Sequence, residues 1–309
     1  MGLDISKLGA RYGPTRTSVD ASRVRAYAAA TNDANTAFGP AAGTAFDPAD
    51  RSGALVPPLF VVVPAWETLM AAVVDVVPPE DLPRLLHLEH DIHLHRPLSV
   101  GDHLVTETEV HGIRARRSGA ELTLLVRSAS GDGGGDLRPV VDQYATMFIR
   151  GVGGGESAGG EVPEHGFPTA DRGERVAETT AHVDADQTWR YRDASGDTNP
   201  IHVDEVFAKE AGLPGIIVHG LCTMAFCSQA VVAAAAGGDP ALLRRLAVRF
   251  SRPVRPDTDL TTTVWDLGAA GDRQLYGFEA RSEGAVVVKD GRAEVGRPAR
   301  PERSGSAGA

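Results

Sequence analysis

The sequence is poor in three things, and each scarcity removes a class of explanation. Cys222 and Cys227 are its only cysteines, and both lie in one apolar run. No disulfide framework can be built from them, and a reducing, cytoplasmic setting is the expectation. Lysine is almost missing, with three against 28 arginines, inside a net charge of −10 and a pI near 5.5. The basic clusters, such as Arg114, Arg116 and Arg117, are short and carry no interleaved aromatics. Nucleic acid is therefore not the expected partner, and the bias toward arginine reads as genome composition. Long uninterrupted apolar stretches are scarce too. The first residues, MGLDISKLGARYG, hold no core of signal-peptide length, and the longest apolar run is broken by Thr223, Ser228 and Gln229. Neither export nor a membrane span is expected.

What is present suffices for two modest cores, since 42% of the 309 residues are hydrophobic. The chain also repeats itself. The stretch from Tyr27 through Asp33 to Asn35 aligns with Tyr191 through Asp197 to Asn199, and Leu94-His95-Arg96-Pro97 aligns with Phe250-Ser251-Arg252-Pro253. Two landmarks in the same order indicate a duplication. In each half a helix (22–30 and 184–193) leads into a polar Asp-x-Asn turn, and a longer apolar helix follows. Alternating strands come next, at 87–96, 104–113, 121–128 and 140–149, then at 246–253, 260–267, 274–281 and 286–295. This is an α+β arrangement in which a sheet buries its apolar face on a helix. The boundaries expected are a first half at 1–150, a flexible Gly-rich linker at 151–172 with nothing to bury, a second half at 173–296, and a disordered tail at 297–309. The Gly run at 132–136 falls between two strands and reads as a hairpin loop.

The chemistry is concentrated between Tyr191 and Thr223. Asp197, Asn199 and His202 fall within six residues, and His219-Gly220 precedes a long apolar stretch. Pro200 fixes its own φ and disfavours helix at Asn199, so the segment is an irregular loop in which Asp197 and His202 can point into one space. Asp204 and Glu205 suit the first turn of a short helix that ends at Gly212. The run 221–236 is apolar on nearly all faces and predicts a buried helix, with the Gly220 amide at its positive end. A carbonyl held there has its α-proton made more acidic, and a carboxylate and a neutral imidazole beside it can share a water. Reversible addition of water to a double bond conjugated with a thioester uses that equipment.

Plainer readings stand beside these. Asp197 and His202 alone could be a hydrogen-bonded pair that stabilises a loop, and His219, which could cap the helix, is left out of the catalytic pair. The cysteines read as inert packing. His87, His90, His93 and His95 invite a metal, but on a regular strand 87, 93 and 95 share a face while 90 points away, so none is expected. Residues 151–160 lack the Lys-Ser/Thr ending of a phosphate loop. Arg249 and Arg252 either meet coenzyme A phosphates or pair with acidic neighbours.

Tyr191, Ser195-Gly196-Asp197, Asn199-Pro200-Ile201-His202, Asp204, Phe207-Ala208, Ala211-Gly212 and His219-Gly220-Leu221-Cys222-Thr223 resemble the signature of the MaoC-like, hydratase 2 family of (R)-specific enoyl-CoA hydratases. The likeness continues through Arg249-Phe250 and Arg252-Pro253-Val254. More weakly, through Pro57-Pro58 and His95-Arg96-Pro97, the first half resembles a degenerate dehydratase-like domain. The resemblance implies a double hot-dog fold, each half a curved antiparallel sheet wrapped around a central helix. It implies Asp197 and His202 as the catalytic pair, Asn199 as support for the loop, and the Gly220 amide as receiver of the thioester carbonyl. The substrate would be a trans-2-enoyl thioester of coenzyme A or acyl carrier protein, hydrated to the (3R)-hydroxyacyl form or regenerated from it. No metal or other cofactor is implied, and monomer and homodimer are both compatible. In the first half Asp33 and Asn35 persist, but Phe38 replaces His202, and a valine at or near Val62 replaces His219 with no glycine after it. That half is expected to be inert and to shape the substrate site. Two rivals remain: a thioesterase of the same fold, which needs a carboxylate beside the central helix, and a non-catalytic thioester-binding module, which would have lost the Asp or the His.

Overall fold

A computed structural model describes residues 3–38, 55–131, 136–167 and 172–296. The Gly run at 132–135, part of the linker at 168–171 and the tail from 297 lie outside the described residues.

The first half contains β1 (Arg11–Ser18), α1 (Ala21–Ala30), α2 (Val62–Val76), β2 (Leu85–Leu94), β3 (His103–Arg116), β4 (Gly119–Ser130) and β5 (Arg138–Arg150). After a two-residue strand β6 (Ala158–Gly159), the second half contains β7 (Arg175–Val183), α3 (Gln187–Ser195), α4 (Glu205–Glu210), α5 (Gly220–Ala235), β8 (Leu243–Phe250), β9 (Thr258–Ala270), β10 (Arg273–Ser282) and β11 (Ala285–Gly296). One antiparallel sheet runs in the order β1-β3-β4-β5-β2-β8-β11-β10-β9-β7, so the strand order of one half is mirrored in the other. Helix α2 packs on β1, β3 and β4, and α5 packs on β7, β8, β9 and β10. This is the α+β double hot-dog arrangement: two half-sheets joined edge to edge, each closed over its own helix.

The expected strands are all present. The unforeseen β1 and β7 are the outer strands of the two halves. Each has a single full-length neighbour and exposes most of its side chains, so neither carries the alternation that marks a half-buried strand. Helix α5 is buried at eleven positions from Leu221 to Val232, which accounts for its lack of a polar face. The stretch Pro58–Val76 is long and apolar enough to cross a membrane by length and composition, with 67% of it buried in the protein. Its apolar faces line the core and, as shown below, a cavity.

The Gly-rich stretch after β5 is not slack. β6 pairs with Gly112 and Ile113 of β3, the Gly160 amide donates to the His111 carbonyl at 2.9 Å, and Val152 is buried. Gly159 has φ +117°, and a Cβ there would lie 2.4 Å from the His111 carbonyl oxygen. Here glycine permits close approach of two backbones, which composition cannot distinguish from flexibility.

The halves meet where β2 pairs with β8, from Glu89 opposite Arg249 to His93 opposite Arg245. Arg245 clasps Asp91 with two hydrogen bonds of 3.0 and 2.7 Å and also reaches Glu294 at 3.3 Å. Burial alone would raise the Asp91 carboxyl, but hydrogen bonds from His93 and Arg245 hold it below the usual range. Arg249 pairs with Glu89 on the same seam, so of its two sequence readings the structure shows the acidic neighbour.

Candidate active site

Helix α3 ends at Gly196, whose φ of +83° turns the chain sharply out of the helix. Two side-chain turns follow. The Asp197 carboxylate accepts from the Asn199 amide at 3.1 Å, and Asn199 Oδ1 accepts from the Ile201 amide at 3.3 Å. Pro200 then opens a single 3₁₀ turn that ends at His202. The loop inferred from Pro200 is thus built by Asp and Asn side chains replacing lost helix hydrogen bonds. Asn199 shapes the backbone between the two reactive groups.

His202 is buried, and its Nδ1 donates to the Ile217 carbonyl at 2.8 Å. A carbonyl can only accept, so Nδ1 carries the proton and Nε2 holds a lone pair. His219 stacks on it, with ring centroids 3.7 Å apart and planes 25° apart. Its Nε2 donates to the Asp197 carbonyl at 3.1 Å, leaving a buried Nδ1 with no protein partner. His219 therefore ties the loop of Asp197 to the start of α5 and braces the ring of His202. Burial raises the Asp197 carboxyl to about 6 and lowers His202 to about 4, while burial and the neighbouring His202 lower His219 further. At neutral pH the site holds one carboxylate and two neutral imidazoles.

Donor atoms of Asp197, His202 and His219 lie within 4.8 Å of one another, a set that a divalent cation can use. Imidazole lone pairs lie in the ring plane, however, and two rings stacked face to face do not converge theirs on one point. The cluster suits proton transfer better than ligation.

Gly220 is the first residue of α5, so its amide is among those with no partner inside the helix. A Cβ at this position would meet the Phe250 ring at 3.3 Å. Glycine keeps the approach to the amide open. Asp197, Asn199, His202 and Gly220 all line a single cavity of about 780 Å³. Much of its wall comes from the first half: Trp66, Met70 and Val73 of α2, Leu85 of β2 and Met147 of β5. The reading from sequence singled out Asp197, Asn199, His202 and Gly220 and expected the first half to shape the site, but it named none of these wall residues and missed the bracing role of His219. The stripe Trp66-Met70-Val73 has helical spacing, a signal that acquires meaning only once the halves are docked. Arg252 is exposed and also lines the cavity.

The three histidines of β2 and His95 just after it do not form one site. A bulge between His87 and Glu89 in the pairing with β5 turns His87 to the side of His90, where the rings meet at 3.2 Å. The alternation used to set His90 apart from His87 fails at that extra residue. His93 approaches Asp91, and His95 meets Asp142.

Residues 168–286 match the MaoC-like domain family, and residues 6–131 match the dehydratase region of FAS1-like proteins. Over 215 residues the chain is 36% identical to 3-hydroxyacyl-thioester dehydratase Y of Mycobacterium tuberculosis, covering 68% of this chain and 72% of that one. The chain belongs to the MaoC-like dehydratase family. It is a hydro-lyase by that membership. This MaoC-like dehydratase is also 29% identical to the peroxisomal enoyl-CoA hydratase 2 of Arabidopsis thaliana over 66% of each chain. Its fold matches a solved MaoC-like dehydratase with a TM-score of 0.77 at 23% identity, over 95% of this chain and 99% of that one.

Proposed function

We propose that this MaoC-like dehydratase adds water reversibly to a trans-2-enoyl thioester of coenzyme A or acyl carrier protein, giving the (3R)-hydroxyacyl thioester. The observation that carries the reading is the meeting, on one cavity wall, of the Asp197 carboxylate, the unprotonated Nε2 of His202 and the first amide of α5. The names of the two relatives, a 3-hydroxyacyl-thioester dehydratase and an enoyl-CoA hydratase 2, support it.

In the hydration direction the thioester oxygen accepts from the Gly220 amide, where the helix dipole favours developing negative charge. Water donates one hydrogen to His202 Nε2, which orients it, and the other to the Asp197 carboxylate. As the water oxygen bonds to C3, its proton passes to Asp197 and the π electrons move to C2 and onto the thioester oxygen. The Asp197 carboxylic acid then returns that proton to C2, which restores the carboxylate. A carboxyl held near 6 serves this exchange well, being both an adequate base and an adequate acid near neutral pH. The first half houses the acyl chain against α2.

The direct test is loss of enoyl absorbance from crotonyl-CoA together with chiral analysis of the 3-hydroxy product. The expected result is R product, with activity falling on the order of 10² or more in Asp197→Asn and in His202→Ala. Equal activity in wild type and both variants overturns the mechanism, and release of free thiol in place of hydration points to a thioesterase.

A further inference from the structure

The wall that the first half contributes to the cavity is apolar apart from His87 and Arg150, and Arg150 is tied to the Ala211 carbonyl at 2.9 Å. His87 is held differently. The bulge in β2 aims it inward, and a buried chain of side chains sets its tautomer. Gln143 Nε2 donates to the Val61 carbonyl at 3.1 Å, which leaves Gln143 Oε1 to face His90 Nε2 at 3.1 Å. An amide oxygen only accepts, so His90 carries its proton on Nε2. His90 Nδ1 then accepts from His87 Nε2 at 3.2 Å. In the tautomer this chain sets, His87 Nδ1 carries no proton and is an acceptor, and the Glu89 backbone carbonyl lies beside the same ring. His90 and Gln143 are sealed from solvent, and burial keeps both imidazoles neutral.

His90 and Gln143 are buried and His87 is half-buried, and polar groups in such places are costly unless each is paired. The repeat underlines the point, because its register sets Leu243 and Leu246 where His87 and His90 stand. Location gives the use. The His87 ring sits edge-on to Phe250, with centroids 5.4 Å apart, and the same Phe250 ring borders Gly220. The acceptor is thus one aromatic ring away from the amide that takes the thioester carbonyl in the reading above.

We propose that His87 accepts a hydrogen bond from the amide N–H of the cysteamine arm, the group that thioesters of coenzyme A and of acyl carrier protein share, and so positions the thioester over Gly220. The inference rests on the proposed substrate class. It assigns a contact with substrate to the half that lacks the catalytic pair.

Two saturated probes test it by calorimetry without turnover: butyryl-N-acetylcysteamine, and the matched thioester in which CH₂ replaces the amide N–H. His87→Phe should weaken the amide probe about tenfold, the worth of one such hydrogen bond, and leave the CH₂ probe unchanged. His87→Gln, which keeps an acceptor, should recover part of the loss. Gln143→Leu, which releases the tautomer from outside the cavity, should weaken only the amide probe and provides the test should His87→Phe not fold. Equal losses on both probes, or no loss on either, overturn the proposal. So does a loss confined to probes bearing a hydroxyl on the acyl chain, which places the donor there. Turnover of crotonyl-CoA by wild type is read separately. Its absence with selective amide binding intact removes the hydration reading and leaves the His87 contact standing.

Discussion

Asp33 and Asp197 occupy the same turn twice over. Each carboxylate accepts from the amide two residues on at 3.1 Å, and each following asparagine accepts in turn from the next amide but one, at 3.0 Å from Ala37 and 3.3 Å from Ile201. A 3₁₀ turn comes next in both, ending at Phe38 in one half and His202 in the other. Burial lifts both carboxyls to about 6. The backbone of the site and the perturbed acid therefore survive in the first half, in a turn that has no histidine, is followed by no glycine at the helix start and takes no part in the cavity wall. A shifted carboxyl pKa is a property of this turn when it is buried. It becomes chemistry only where an imidazole, an exposed amide and room for substrate coincide.

The sharpest break in that comparison is a matched pair of variants. Asp197→Asn should lower hydratase turnover on the order of 10² or more, while Asp33→Asn should leave it unchanged. A comparable loss from Asp33→Asn makes the first half catalytic. Next in size is the pH profile. The mechanism needs ionised Asp197 and neutral His202, which burial holds near 6 and near 4. The rate should fall roughly tenfold per pH unit below about 6 in both directions of reaction, because the carboxylate also takes the C2 proton in dehydration. A rate that stays flat down to about pH 4 assigns the base elsewhere.

Gly220→Ala should have a smaller effect, about tenfold, because the Phe250 ring at 3.3 Å must yield by a few tenths of an ångström and crowds the amide. Val62→Gly in the first half should change turnover little. The smallest effect is on stability, and there the two halves should behave alike. Each carboxyl has a folded pKa of about 6 against 3.8 for a free group, so folding favours the protonated form. That stability is complete below about pH 4 and is lost as the pH rises through about 6. Asparagine keeps the acceptor without the charge. Asp33→Asn and Asp197→Asn should therefore each raise the melting temperature on the order of a few degrees at neutral pH, with the gain vanishing toward pH 4. A gain in only one half shows that the two turns are not electrostatically equivalent.

Much of the loop from Asp197 to His202 was legible because its geometry is local. Asp, Asn and Pro at fixed spacing determine two side-chain turns and a 3₁₀ turn whatever surrounds them, and an all-apolar helix after His219-Gly220 has to be buried. The duplication was legible for the same reason, since its landmarks are turns. The four-residue interval between His219 and Thr223, with Thr223 Oγ1 donating to the His219 carbonyl at 3.3 Å, belongs to this local grammar too. What escaped depends on partners far away in the chain. β1 and β7 bury too few side chains to announce themselves. Gly159 in β6 and Gly160 after it reflect the close approach of the β3 backbone, and a single extra residue in β2 reversed the face of His87.

Residue types at short spacing, by themselves, determined the loop that holds Asp197, Asn199 and His202 and which half carries it, because hydrogen bonds between neighbours in sequence decide its backbone. Only the tertiary structure decided what those groups face. The cavity is closed by α2 and β2 of one half against α5 of the other, and it exists because β2 and β8 join edge to edge across a seam whose paired residues lie more than 150 positions apart.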